Sequence, residues 1–292
     1  MSQLLGPTLT FKLARRRTWL SLGPAWAGLA GAAASGAAQF ELNHLLSLLG
    51  LWLLVDPILG TLWELAVTEG LWRDIGQARL PMPPRHGFFL PYVQIGTPGA
   101  RLVLHLRRYQ RWWQTDYWPE RGHQIVTFGW GAGLALSLSL LLGRPLFWLT
   151  LLALALICLA GQSPSGLSGP HGGRLQSIVH FLLPWAMGAA LWAELNPLTL
   201  LLAICGWATY LGALRMIGRH QRADLLFWGG QVAALLLLLG LRSLVGAAIL
   251  AVLLIGQSQL KARFDSPAGF LAKVQPYLIT AVVVAGFALG KV

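Results

Sequence analysis

Charged side chains are scarce in this chain of 292 residues, at 11% of the total against roughly 25% in soluble domains. Too few are present to cover a water-soluble globule, because 55% of the residues are hydrophobic. Acidic residues are rarer still, since 10 Asp and Glu stand against 22 Lys and Arg. The surplus apolar surface must face lipid or protein. The sequence therefore predicts an integral membrane protein with a single domain, residues 1–292.

Cysteine is nearly absent, and no internal repeat is visible. Cys158 and Cys205 each lie in an apolar run, without a CxxC spacing or a histidine close by. This pattern favours two buried free thiols over a disulfide framework or a metal site. The missing repeat makes a transporter or scaffold a less favoured interpretation, because many transporters have inverted halves.

The positive net charge of +12 does not indicate nucleic-acid binding. Arg and Lys occur in short clusters between apolar runs, whereas nucleic-acid-binding domains present a continuous basic face. We expect no nucleic-acid partner and a lipid bilayer instead.

Runs of about 20 apolar residues are long enough to cross a bilayer as helices. The runs predict an all-α, polytopic membrane helix bundle of about nine transmembrane helices. The predicted spans are 18–37, 45–67, 124–142, 145–161, 176–194, 197–214, 225–241, 243–259 and 274–290. The first imitates a cleaved secretory signal, but Pro24 and several glycines interrupt it, and we interpret it as the first span.

Charge segregation supports nine spans. If nine helices alternate, all Lys and Arg except Arg144, Arg242 and Lys291 fall on one side of the bilayer. The positive-inside rule makes that side cytoplasmic, which places the N-terminus inside and the C-terminus outside.

Residues 88–123 predict an amphipathic insertion at the membrane interface. Four apolar side chains recur at helical spacing and four arginines surround them: Leu102, Leu106, Tyr109 and Trp113, with Arg101, Arg107, Arg108 and Arg111. Such a helix either lies along the bilayer with its cations near anionic headgroups or docks on the cytoplasmic face of the bundle.

Four short segments carry a family resemblance. They are Leu183-Pro184-Trp185 leading to Leu195-Asn196-Pro197, Asp56-Pro57-Ile58-Leu59, Arg79-Leu80-Pro81-Met82-Pro83 and Gln162-Ser163-Pro164. In order and spacing the chain resembles the UbiA superfamily of intramembrane prenyltransferases, and within it the chlorophyll and bacteriochlorophyll synthases. The resemblance implies the nine-helix fold and residence in a prokaryotic inner membrane or a photosynthetic membrane.

The resemblance also implies where acidic residues belong. The family holds Mg²⁺ against a prenyl diphosphate with aspartates in the loops after helices 2 and 6. In the first loop Glu69 and Asp74 fall near two of these positions, while Leu65 and Ala66 replace the others. In the second loop only Asp224 remains, and three arginines have entered: Arg215, Arg219 and Arg222.

Two Mg²⁺ ions are poorly held there, because each like charge about 6 Å away costs about 3 kcal/mol at an effective dielectric near 20. We therefore interpret the chain as a catalytically degenerate relative without a metal site. It would bind a prenylated or ring-bearing lipid of the quinone or (bacterio)chlorophyll type, as an accessory subunit or assembly factor of a bioenergetic membrane complex.

The alternative is an active prenyltransferase for an aromatic or tetrapyrrole acceptor. Its catalytic residues would be Glu69, Asp74 and Asp224, with Glu64 joining Glu69 and Asp74 around a single Mg²⁺. The three arginines of the second loop would then hold the diphosphate directly. Arg79, from the matched motif, is a further ligand-binding candidate.

Two sets of residues remain open between a structural and a ligand-binding role. Asp56 either hydrogen-bonds backbone groups freed by Pro57 or faces an internal cavity and contacts a ligand. Five tryptophans either pack in the core or line a hydrophobic chamber: Trp63, Trp72, Trp185, Trp207 and Trp228.

Overall fold

The computed structural model describes residues 23–37, 41–72, 98–162, 172–218, 220–264 and 266–291. Within these ranges every regular element is a helix and no strand occurs. The nine helical runs are α1 Pro24–Ala34, α2 Leu42–Thr68, α3 98–142, α4 Arg144–Gly161, α5 172–189, α6 Pro197–Ile217, α7 Ala223–Gly240, α8 Leu244–Lys261 and α9 Pro267–Gly290. The prediction of an all-α bundle is therefore confirmed.

Seven helices in the described ranges are long and apolar enough to cross a membrane: α2, α3, α4, α6, α7, α8 and α9. This is the composition of an integral membrane protein in contact with lipid. The other two runs, α1 and α5, are not among the seven. Part of the first predicted span, 18–22, lies outside the described residues. The count of nine spans and the side of the N-terminus stay predictions.

Proline and short polar side chains set where several helices begin. Pro197 and Pro267 open α6 and α9, where a missing backbone N–H costs nothing. The Asn196 side chain accepts a hydrogen bond from the Leu198 amide at 3.0 Å, and Ser266 accepts one from Gly269 at 3.2 Å. The predicted start of the last span at residue 274 was too late, because this cap initiates α9 at Pro267.

The third helix is longer than expected. The sequence separated an interfacial segment, 88–123, from a span at 124–142, but the described part of this region is helical without a break from 98 to 142. A π-helical turn, Trp113–Tyr117, precedes Pro119 and widens the helix where the proline lacks its N–H. Whether the first half lies along a membrane surface stays a prediction.

The buried side chains form two clusters that share α5. One is built from α1 and α5–α9, and the other from α2–α5. Phe181 and Trp185 of α5 belong to the first cluster, while Val179, Leu183 and Met187 belong to the second. Helix α5 therefore packs against both clusters and lies between them.

Helix α1 is packed between α5 and α9 through small residues. A Cβ atom on Gly188 would meet the carbonyl oxygen of Gly28, and one on Gly286 would meet that of Ala30. The backbones approach closely only because these side chains are absent, as is common between helices in membranes. Eight of the eleven α1 residues are buried and the other three are half-buried, so α1 is enclosed by its neighbours.

Candidate functional site

The first acidic loop is attached to α3. The carboxylate of Glu69 accepts a hydrogen bond from Gln124 Nε2 at 2.8 Å, and its backbone carbonyl accepts one from Arg121 Nη1 at 3.3 Å. Arg121 also donates to Gln124 Oε1 at 3.1 Å, and the Tyr117 hydroxyl donates to the Leu71 carbonyl. Glu69 is therefore part of a polar network that fixes the end of α2 on α3.

The second loop is attached to α8. Asp224 Oδ1 lies 2.7 Å from Lys261 Nζ, and the same ammonium group lies 5.9 Å from the centre of the Trp228 ring. Both charged side chains are partly exposed, at 62% for Asp224 and 37% for Lys261. Arg222, just before α7, is exposed and has a left-handed backbone with φ of 64°. Asp224 thus forms a surface ion pair.

Two of the three acids predicted as catalytic are held by different helices, Glu69 by α3 and Asp224 by α8. In the described part of the chain no three His, Cys, Asp or Glu side chains come together as metal ligands do. The predicted residues Asp74, Arg79 and Arg219 lie outside the described residues. Glu64 and Arg215 are half-buried, at the ends of α2 and α6. Asp56 is half-buried in a π-helical turn, Leu54–Ile58, that contains Pro57.

A cleft separate from the two acidic loops lies between α5, α6, α7, α8 and α9, and we call it the five-helix cleft. It holds about 390 Å³ of space between its atoms, its open mouth included. Most of its lining is apolar, including Leu202, Leu250 and Leu278. Gln231, one of the lining residues, lies near the middle of α7.

Comparisons of the chain with protein-family models, with curated proteins and with solved structures gave no match.

Three polar side chains line the five-helix cleft: Trp185, Thr209 and Gln231. Thr209 Oγ1 donates to the Cys205 carbonyl at 3.1 Å, and Gln231 Nε2 donates a long hydrogen bond to the Phe227 carbonyl at 3.4 Å. Trp185 Nε1 and Gln231 Oε1 are buried and have no hydrogen-bond partner among the described residues. One donor and one acceptor are thus left unused in an apolar cleft.

Aromatic packing fixes the Trp185 ring. Phe181 stacks on Trp185 with ring centres 6.0 Å apart, and Tyr210 stacks on Phe181 at 5.8 Å. Gly206 makes room for this arrangement, because a Cβ atom there would lie 2.5 Å from the Phe181 ring. The indole N–H is therefore presented in a defined position.

Of the five tryptophans proposed for a chamber, Trp185 lines the cleft and the others pack elsewhere. Trp207 Nε1 donates to Ser177 Oγ at 2.8 Å, and Trp63 packs edge-on against the buried His180. Trp72 contacts Phe128, and Trp228 contacts Phe227.

The sequence prediction missed Gln231. It is the one side-chain amide in the helix Ala223–Gly240, in the middle of an apolar run. A single amide in the middle of an apolar run could have marked Gln231 as a candidate, because polar groups without hydrogen-bond partners are costly inside a bilayer.

Proposed function

We propose that this chain is a UbiA-like integral membrane protein that binds a prenylated or ring-bearing lipid and does not transfer a prenyl group. The five-helix cleft carries the proposal. It is apolar, lies within the membrane-spanning part of the bundle, and retains one unused donor and one unused acceptor. Such a combination suits an apolar molecule with a small polar group.

The partners of the acids support a non-catalytic role. A diphosphate-bound Mg²⁺ ion is held by one or two carboxylates together with phosphate oxygens. Here the Glu69 carboxylate is engaged by an amide of α3, and Asp224 is paired with Lys261 on the surface. One oxygen of each carboxylate is therefore already engaged, by α3 for Glu69 and by α8 for Asp224.

The full topology is part of the same proposal. We propose nine spans with a cytoplasmic N-terminus, in which α1 and α5 also cross the membrane. The close packing of α1 against α9 supports this, because α9 is long and apolar enough to cross a membrane. Residence in a prokaryotic inner membrane or a photosynthetic membrane, and assembly with a bioenergetic complex, are further parts of the proposal.

The test combines ligand identification with an activity assay. Native mass spectrometry of the protein purified from its membrane is expected to reveal a co-purifying apolar molecule of the quinone or (bacterio)chlorophyll type. Membranes incubated with labelled prenyl diphosphate and an aromatic acceptor are expected to show no transfer, with or without Mg²⁺.

The acidic variants decide between binding and catalysis. Mg²⁺-dependent transfer that disappears in Glu69→Ala, and persists in Glu41→Ala, would overturn the proposal. Glu41 is a suitable control because it is an exposed acid just before α2, at the opposite end of that helix from Glu69.

A further inference from the structure

Gln231 is a costly residue at its position. It is 6% exposed, lies in the middle of an apolar helix, and its Oε1 atom has no hydrogen-bond partner in the described part of the chain. An amide in an apolar environment without its hydrogen bonds costs about 1–3 kcal/mol in proteins. A membrane offers no water to compensate it. An occupant of the cleft that donates a hydrogen bond would remove this cost.

Trp185 has the opposite requirement. Its ring is 1% exposed, and its Nε1–H, a donor only, has no partner among the residues described. An occupant that satisfies both side chains must therefore have a hydrogen-bond acceptor for Trp185 and a hydrogen-bond donor for Gln231. A hydroxyl group is both, because its oxygen accepts while its hydrogen donates. A carbonyl or an ether oxygen only accepts, and leaves Gln231 unsatisfied.

We infer that the five-helix cleft selects hydroxyl-bearing apolar molecules over their ketone or ether counterparts, through Gln231 Oε1 and Trp185 Nε1. This inference rests on the proposed function and narrows it. For a redox-active ring it means that the reduced, dihydroxy form binds more tightly than the oxidised, diketone form. The terminal hydroxyl of an isoprenoid alcohol shares the same chemistry.

The chain provides a matched control for each residue. Gln257 on α8 is fully buried, and both its amide atoms have no partner among the described residues, but it does not line the five-helix cleft. Trp207 on α6 already donates its Nε1–H to Ser177 and also lies outside the cleft lining. Gln257→Leu and Trp207→Phe therefore make the same chemical changes as Gln231→Leu and Trp185→Phe at other places.

The experiment measures binding by equilibrium dialysis to the full chain in lipid nanodiscs, without oxygen. Two probe pairs are used: a short-chain benzoquinol with its benzoquinone, and farnesol with its methyl ether. We expect the hydroxyl-bearing member of at least one pair to bind about tenfold more tightly, the value of one hydrogen bond of about 1.4 kcal/mol. The pair that discriminates identifies a ring or a linear alcohol as the source.

The variants show which residues cause the preference for a hydroxyl group. Gln231→Leu is expected to abolish the preference by weakening the hydroxyl compound about tenfold, and Trp185→Phe to weaken both members of the pair. The controls are expected to retain wild-type values. Equal binding of both members to the wild-type chain overturns the inference and leaves the proposed function standing, a result that does not depend on whether any variant folds. An equal loss in Gln257→Leu also overturns it. No binding of any probe, as for a cleft filled by water, overturns the inference and also excludes quinones and isoprenoid alcohols from the proposed function.

Discussion

The amide of Gln124 on α3 donates a hydrogen bond of 2.8 Å to the carboxylate of Glu69, which follows α2. Together with the bond from Tyr117 to the Leu71 carbonyl, it fixes the loop after α2 on the long third helix. A loop held in this way is organised by protein contacts. In the metal-dependent alternative the same loop would be organised by Mg²⁺.

Removing the Tyr117 hydroxyl is therefore expected to loosen this loop. Tyr117 is 3% exposed, so Tyr117→Phe leaves the Leu71 carbonyl without its partner, at a cost of about 1–3 kcal/mol. Hydrogen exchange measured by mass spectrometry is expected to rise in residues 68–72. Tyr277→Phe is the control, because its ring contacts Gly256 on α8, away from this loop. Unchanged exchange in Tyr117→Phe would show that the hydrogen bond does not hold the loop.

The sequence predicted the helices better than their connections. Apolar run length predicted α4, α6, α7 and α8 to within a few residues, because twenty apolar residues in lipid have few alternatives to a helix. It did not predict that α3 continues through Pro119, because a proline ordinarily ends a helix. The π-helical turn that accommodates Pro119 has no simple sequence signal.

The five-helix cleft was less accessible to prediction than the acidic loops. Glu69 and Asp224 were found because motif spacing marks them, but their partners Gln124 and Lys261 come from distant helices. Likewise, Trp185 and Gln231 line one cleft only because α5, α6 and α7 pack as they do. Sequence spacing contains no information on that packing.

The contact between α1 and α5 depends on Gly188. In Gly188→Ala the new Cβ would meet the backbone of Gly28, so the two helices must separate, with an expected cost of about 1–3 kcal/mol. The unfolding temperature in detergent should fall. Gly129→Ala on α3 is the matched control, since nothing lies within 4 Å of its Cβ position. Alanine there is expected to leave the temperature unchanged or raise it. Equal behaviour of the two variants would contradict the packing described for α1.

The Asp224–Lys261 pair is expected to matter little for stability. Both groups are partly exposed, and exposed ion pairs contribute about 0–1 kcal/mol. Lys261→Met should therefore lower the free energy of unfolding by less than about 1 kcal/mol. The exchanged pair, Asp224→Lys with Lys261→Asp, should recover what Asp224→Lys alone loses. Ligand binding by Asp224→Asn should equal that of the wild type. A large loss of binding in Asp224→Asn alone would restore the acid to a functional role.

The predicted interfacial helix can be tested at the first half of α3. Leu102 and Leu106 are 61% and 57% exposed there, and Arg107 and Arg108 lie beside them. We expect this half to contact anionic lipid, with each cation contributing about 1 kcal/mol. An environment-sensitive fluorophore on Leu106→Cys, in a Cys158→Ala, Cys205→Ala background, should report an apolar environment in anionic proteoliposomes. Replacing Arg107 and Arg108 by Gln should remove about 2 kcal/mol, so the equilibrium constant for lipid contact should fall about thirtyfold. A signal independent of lipid charge would mean that this half docks on protein or stands in water.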